Sequence, residues 1–134
     1  MTQSAEHVSI GVPLTIADVV RVARQRVPVD LAAEARPRIV SSRAYVDTLV
    51  AADRTVYGIT TGFGRLASVR IAASDVRQLQ RNLLVSHAMG VGAPFSTEVV
   101  RAMLLLRAQS LSFGFSGIRL DIIALLVQKC KQHK

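Results

Sequence analysis

A mainly α fold is predicted for this 134-residue sequence, and three features predict it. Apolar residues recur at helical spacing through most of the chain. Ser or Thr stands at the start of several of these stretches, where a helix N-cap belongs. Only one short β-like run interrupts the helical reading, together with one glycine-rich loop.

Taken in order, Val8 to Ile10 reads as a short strand before the Gly11-Val12-Pro13 turn. Thr15 is placed as an N-cap with Asp18 at the third helical position, a variant of the capping box. Ile16, Val19, Val20 and Ala23 carry the helical period to about Gln25, and Pro28 closes that helix. Asp30 is placed to cap a second helix over Leu31 to Ala52, which Pro37 must break or restart. Thr55 to Ser68 is a loop, with three glycines and a short extended start at Val56-Tyr57. Ser74 is placed to cap a helix from Asp75 to about Met89, with Gly90 as its stop. Ser96 is placed to cap Thr97 to about Phe113, and Ile118 to Lys129 forms a last helix. The last two helices are apolar nearly all round, the pattern of helices buried on every side. A chain of this size has little material to bury both. They therefore call for further sequence or other subunits.

Composition narrows the function classes. Half the residues are apolar and 19% are charged, which excludes a disordered chain. Net charge is +8, yet the basic residues from Arg21 to Arg119 are scattered singly, without a run or interleaved aromatics. They read as a solvated face or subunit contacts, and no nucleic-acid partner is expected. The single cysteine, Cys130, permits no intramolecular disulfide and points to a reducing compartment. No apolar run approaches the roughly 18 residues of a membrane span, and Met1 to Ala5 carries no signal-peptide pattern. A cytoplasmic protein with no membrane partner is expected. All fourteen arginines precede all three lysines (Lys129, Lys131 and Lys134), and Cys130 sits among the latter. That switch suggests a tail of different origin, although cations also suit a helix C-terminus.

Two side chains stand out as candidates for chemistry. Tyr57 lies where the chain enters the glycine loop, whose glycines let backbone approach a ligand closely. A phenol titrates near 10 in water and needs positive charge or donated hydrogen bonds to serve as a base near neutrality. The alternative is a packed tyrosine with its hydroxyl satisfied. His87 shares a helix face with Val76, Leu79 and Leu83, so it is either a functional imidazole or a satisfied core residue. His7 and His133 give it no ligand spacing, and no metal site is supported. Gly62-Phe63-Gly64 falls short of both nucleotide-binding glycine patterns, since Ala67 stands where the third glycine belongs and no Gly-Lys-Ser/Thr occurs. There is no Gly-x-Ser-x-Gly nucleophile elbow either.

Three phrases in order resemble the aromatic amino acid ammonia-lyase family, most closely its histidine ammonia-lyases. They are Val56-Tyr57-Gly58-Ile59-Thr60-Thr61-Gly62-Phe63-Gly64, then Leu79-Gln80-Arg81-Asn82-Leu83-Leu84-Val85-Ser86-His87-Ala88-Met89-Gly90-Val91-Gly92, then Ser110-Leu111-Ser112-Phe113-Gly114-Phe115-Ser116-Gly117-Ile118-Arg119. The likeness covers roughly residues 8 to 126. It implies the N-terminal helical domain of the ammonia-lyase fold, with a short strand and a glycine-rich active-site loop made by Gly58, Thr60, Thr61, Gly62, Phe63 and Gly64. It implies elimination of ammonia from an amino-acid substrate, histidine, by means of a 4-methylidene-imidazol-5-one electrophile. Tyr57 then matches the catalytic base, acting on the substrate's β-proton or its amine. Ser86 and His87 match the histidine-type pair beside the substrate side chain. A homo-oligomer, the family's tetramer, is implied for a complete chain.

Two departures qualify these expectations. Histidine ammonia-lyases usually carry Asn where this chain has Thr60, whereas some aminomutases of the family carry Thr. Histidine versus tyrosine or phenylalanine, and lyase versus aminomutase, therefore stay open. The electrophile forms from an Ala-Ser-Gly that occurs nowhere in the 134 residues, so none can form in this chain. Phe115-Ser116-Gly117 is its nearest look-alike, and it matches another family segment. Residues 1–127 are read as a truncated ammonia-lyase N-terminal domain and 128–134 as a divergent tail. The chain is expected to be inactive alone, or to serve as a non-catalytic module that co-assembles with a full-length homologue.

Overall fold

Thr15 and Asp18 form the capping box that their spacing predicts. The Thr15 hydroxyl accepts from the Asp18 amide at 3.2 Å, and the Asp18 carboxylate accepts from the Thr15 amide at 3.0 Å. This starts helix α1, Ile16–Gln25. It ends at Arg26, which takes the left-handed conformation (φ 59°), while the Val27 amide returns to the Arg21 carbonyl. The computed structural model describes residues 7–52, 54–72 and 74–132. Residues 1–6, and His133 and Lys134 of the tail, lie outside them.

Two units make up the chain: residues 1–44 with 94–134, and residues 45–93. The first contains a β–α–β crossover. Strand β1, Val8–Ile10, pairs in parallel with β2, Val29–Leu31, placing Val8 opposite Val29 and Ile10 opposite Leu31, with α1 as the connection. Val8, Ile10 and Val29 point into the core. Strand β2 is a correction to the sequence reading, which gave Asp30 to a helix cap. Val29-Asp30-Leu31 alternates as Val8-Ser9-Ile10 does, but so short a run also suits a helix start, and the partner strand that decides it lies 21 residues earlier. Helix α2 accordingly starts later, at Ala35, and runs to Ala51. Pro37 does not break it. It stands in the first turn, where the amide it lacks has no helical partner in any case.

Helix α4, Thr97–Ser112, is the centre of this unit and packs against α1, β1 and helix α5, Leu120–Gln132. Its inward face was expected to be apolar. It carries Leu105, Ala108 and Leu111, but also buried Arg101, Gln109 and Ser112. Each polar group has a defined partner. Gln109 accepts from the Gly11 amide (2.8 Å) and donates to the Val12 carbonyl (2.6 Å), tying the turn after β1 to α4. Ser112 donates to the Ala108 carbonyl. Gly11 is required there: its φ is +89°, and a Cβ would lie 2.4 Å from that of Ala35. Gly114 fills the same role where the chain leaving α4 crosses Arg38 of α2.

Arg101 is 2% exposed, and its guanidinium serves two helix ends. Nε and Nη2 donate to the Val22 carbonyl of α1 at 3.1 and 2.9 Å, and Nη1 donates to the Cys130 carbonyl of α5 at 2.5 Å. Both carbonyls belong to the last turn of their helices, where backbone acceptors run short of helical partners and the helix dipole is negative. The Cys130 thiol donates back to the Arg101 carbonyl at 3.7 Å. Burial pushes that thiol above its ordinary pKa, with Arg101 and Lys131 opposing the shift, so it remains an inert, protonated core group. Helix α5 thus continues through Val127 to Gln132, with Cys130 buried near its end.

In the second unit, helix α3 spans Val76–His87, with Asp75 rather than Ser74 at its N-cap. Ser74 spends its hydroxyl on the Asp75 carboxylate. The helix stops at Ala88 in an irregular conformation, so the stop assigned to Gly90 falls two residues earlier, on a residue that is not glycine. Ser96 stands at the N-cap of α4 as predicted, without a side-chain cap bond. Neither α4 nor α5 is buried on every side, as had been expected: their exposed faces mix apolar Val99, Met103, Leu106 and Leu125 with polar Glu98, Arg107, Asp121, Gln128 and Lys129.

Two stability measurements check this scheme. Arg101→Leu keeps the volume but leaves two helix-end carbonyls buried without a donor, a loss of about 2–5 kcal/mol in chemical denaturation. Arg101→Lys is expected to recover only part, because one ammonium lacks the rigid fork that spans both carbonyls. Bonds from Thr15, with Arg21 nearby, hold the Asp18 carboxyl below its ordinary pKa. Its ionised form is therefore the one that folding favours. The contribution is present above the unfolded value of about 3.9 and is lost as pH falls through the depressed folded value. Asp18→Asn should be less stable than wild type at neutral pH, with the gap closing in acid.

Candidate functional site

The residues that the sequence singles out fall within 45–93. Tyr57 is not at the end of an extended segment, as expected, but in a turn spanning residues 57–60. Thr60 closes this turn through its backbone, with the Ile59 and Thr60 amides both donating to the Val56 carbonyl. Its side chain adds two more bonds. The Thr60 hydroxyl accepts from the Val56 amide at 2.9 Å and donates to the Arg54 carbonyl at 2.5 Å. One hydroxyl thereby satisfies both a donor and an acceptor of the chain entering the turn. Thr61 repeats the device, accepting from the Gly58 amide at 3.3 Å and donating to the Gly62 carbonyl. Both threonines are buried, at 8% and 1% exposure. Neither position was recognised in the sequence as a hydroxyl clamp. The available signal was a pair of adjacent threonines inside a glycine loop, where such side chains bond local backbone.

The far side of the loop is secured by an antiparallel bridge. The Gly62 amide donates to Val69 and the Ile71 amide to Thr60, bringing Thr61 opposite Arg70. Gly58 and Gly64 adopt positive φ, +74° and +57°, conformations that side chains resist. Gly64 then starts a single 3₁₀ turn, Gly64–Leu66. Phe63 is half-buried and meets Tyr57 edge to face, with centroids 6.1 Å apart and planes at 73°. Tyr57 as a residue is 63% exposed. The hydroxyl forms no bond with any described residue, so this is not the packed, satisfied tyrosine that was the alternative.

Ser86 and His87 end α3, and both are exposed. The apolar residues expected to share a face with His87 (Val76, Leu79 and Leu83) are half-buried, while His87 is not a core residue. Ser86 Oγ lies 2.9 Å from His87 Nδ1, and each of these atoms lies 3.0 Å from the Leu83 carbonyl. No hydrogen bond or ring contact links Ser86 or His87 to Tyr57 among the described residues. The structure therefore yields two local arrangements: an exposed phenol on a hydroxyl-clamped turn, and an exposed imidazole oriented by a serine. Among the described residues, no three His, Cys, Asp or Glu side chains are placed to hold a metal. No described helix is long and apolar enough to cross a membrane.

The sequence of these elements is that of known enzymes. Residues 14–133 match the family model for aromatic amino acid lyases, and the chain belongs to that family. It is 52% identical over 122 residues to the histidine ammonia-lyase of Symbiobacterium thermophilum, covering 91% of this chain and 24% of that protein. With the histidine ammonia-lyase of Geobacillus thermodenitrificans it shares 55% identity over 117 residues, 87% of this chain and 23% of the relative. Among solved structures, tyrosine aminomutase from Streptomyces globisporus superposes with a TM-score of 0.88 at 34% identity, covering 94% of this chain and 24% of that one. Histidine ammonia-lyase from Trypanosoma cruzi gives 0.85 at 35% identity, covering 93% and 25%. The chain thus spans about a quarter of the length of the relatives it matches. Its fold is the mainly α N-terminal region of the ammonia-lyase fold, including the short strand.

The loop analysis predicts that Thr60→Val, which keeps shape but removes the hydroxyl, frees the Val56 amide and the Arg54 carbonyl together. Hydrogen exchange at Val56 should accelerate roughly tenfold, the effect of about 1.4 kcal/mol of lost local bonding. Thr60→Ser should keep the wild-type rate.

Proposed function

We propose that this chain contributes the tyrosine-loop part of a histidine ammonia-lyase-type active site, in which L-histidine loses ammonia to give urocanate. The observation that carries this reading is the pair of histidine ammonia-lyase relatives above 50% identity, matched across the segment that holds both candidate groups. Tyr57 is the base that takes a proton from the substrate's β-carbon or its amine. Its exposure leaves the phenol open to a substrate, and Gly58, Thr60, Thr61, Gly62, Phe63 and Gly64 form the loop that holds it. Ser86 and His87 bind the substrate side chain.

The family's 4-methylidene-imidazol-5-one withdraws electrons from the substrate so that the amine can leave. No Ala-Ser-Gly stands in these 134 residues to form it, so the residues present do not supply that group. The chain by itself is accordingly proposed to be inactive. The proposed setting is cytoplasmic, with residues 1–127 as the ammonia-lyase part, 128–134 as a divergent tail and a homo-oligomer as the working form. The 34% identity to a tyrosine aminomutase, together with Thr60, supports a related aromatic lyase or aminomutase as the nearest variant of this reading.

A second reading is a non-catalytic module that co-assembles with a full-length homologue. Its support is the exposed apolar side chains of Leu84, Val85, Met89 and Val91 in one unit and of Phe115 in the other. Urocanate absorbance separates the two. The chain alone is expected to give none. Co-expressed with a homologous segment carrying Ala-Ser-Gly, it should restore turnover, and Tyr57→Phe should reduce that turnover by roughly 10²–10⁴-fold. Turnover by the chain alone would overturn the inactivity. An assembled but silent complex would favour the non-catalytic module.

A further inference from the structure

His87 has two ring nitrogens, and its surroundings distinguish them. Nδ1 lies 3.0 Å from the Leu83 carbonyl oxygen, which has no hydrogen to give. It also lies 2.9 Å from Ser86 Oγ, which itself sits 3.0 Å from that same carbonyl. Every contact holds a hydrogen only when Nδ1 is protonated, and in the neutral ring that fixes one assignment. Ser86 Oγ–H donates to Leu83, and Nδ1–H donates to both the Leu83 carbonyl and Ser86 Oγ. In the opposite tautomer a bare Nδ1 lone pair faces a carbonyl lone pair at 3.0 Å with nothing between them. A neutral imidazole with its proton on Nδ1 has an acceptor at Nε2. Nε2 bonds to no described residue.

We propose that Ser86 is a positioning residue that, with the Leu83 carbonyl, holds His87 as its Nδ1–H tautomer and leaves Nε2 as a hydrogen-bond acceptor for the substrate side chain. The role of Nε2 rests on His87 facing substrate, as read above; the tautomer rests on geometry alone.

The tautomer is read directly in the free chain by multiple-bond ¹H–¹⁵N correlation of the imidazole in alkaline buffer. His87→Gln identifies the His87 signals among the three histidines. The expected spectrum has a pyrrole-type Nδ1 and a pyridine-type Nε2, in a ratio of roughly five or more to one, as ordinary hydrogen bonds provide. Ser86→Ala should lower that ratio about threefold, while alanine at an exposed helical position keeps α3 intact. A pyrrole-type Nε2 in the wild type overturns the proposal whatever the variant does. So does a ratio that Ser86→Ala leaves unchanged. Because no turnover is required, a chain that never supports urocanate formation would refute the enzymatic reading and leave this result standing.

Discussion

One guanidinium holds the first unit together. Helices α1 and α5 both end against α4, and a helix end is where backbone carbonyls run out of partners. Burying two such ends in one place would be costly. Arg101 removes that cost for both at once and places positive charge where both dipoles are negative. The rest of the unit follows from this choice. The α1 terminus must reach Val22, the α5 terminus must reach Cys130, and the β1–β2 pair is brought onto the same helix by Gln109. Leu105, Ala108 and Leu111 then fill the space between.

The second unit is organised by hydroxyl groups instead of a hydrophobic core. Helix α3 buries no residue completely. The order in the Tyr57 loop comes from Thr60 and Thr61, each spending one hydroxyl on a donor and an acceptor of nearby backbone. A loop fixed from within can leave its aromatic ring exposed without losing its shape. At the other end of the unit, Ser86 and the Leu83 carbonyl lie within hydrogen-bond distance of an exposed imidazole. In the loop the supporting hydroxyls are buried and the ring is exposed, whereas at the end of α3 the serine and the imidazole are both exposed.

Much of this was legible in the sequence. Five helices were found from apolar residues at helical spacing or, for α4 and α5, from apolar stretches bounded by cap and glycine signals, and the Thr15–Asp18 box was found because capping is a contact three residues long. Strand β2 was missed because its partner is distant, and Asp30 looked like a cap in its absence. Pro37 was over-read, since proline is harmful inside a helix and harmless in its first turn. The burial of Arg101 was legible in principle: it lies on one stripe with Leu105, Ala108 and Ser112. What hid it was the habit of treating charge as surface. At the candidate site, the family resemblance singled out Tyr57, Ser86 and His87, but not the hydroxyl bonds found around them. That geometry depends on turn conformations which spacing alone does not specify.

The span of the buried polar contacts bears on how the chain acquires its structure. Gly11 meets Gln109 across 98 positions, and Arg101 reaches back 79 positions to Val22 and forward 29 to Cys130. A nascent chain leaving a ribosome cannot close its first unit when β1, α1 and β2 have emerged. It must wait until the residues around Cys130 are out, holding an incomplete apolar surface meanwhile. The intervening residues 45–93 are a tether across that interval. Its length matters little to the closing entropy, since each doubling costs only about 0.6 kcal/mol, but the delay itself is a period of exposure to aggregation and chaperone capture. Synthesis that stalls just short of Cys130 would therefore yield a chain with nearly all of its core side chains and no means of closing them.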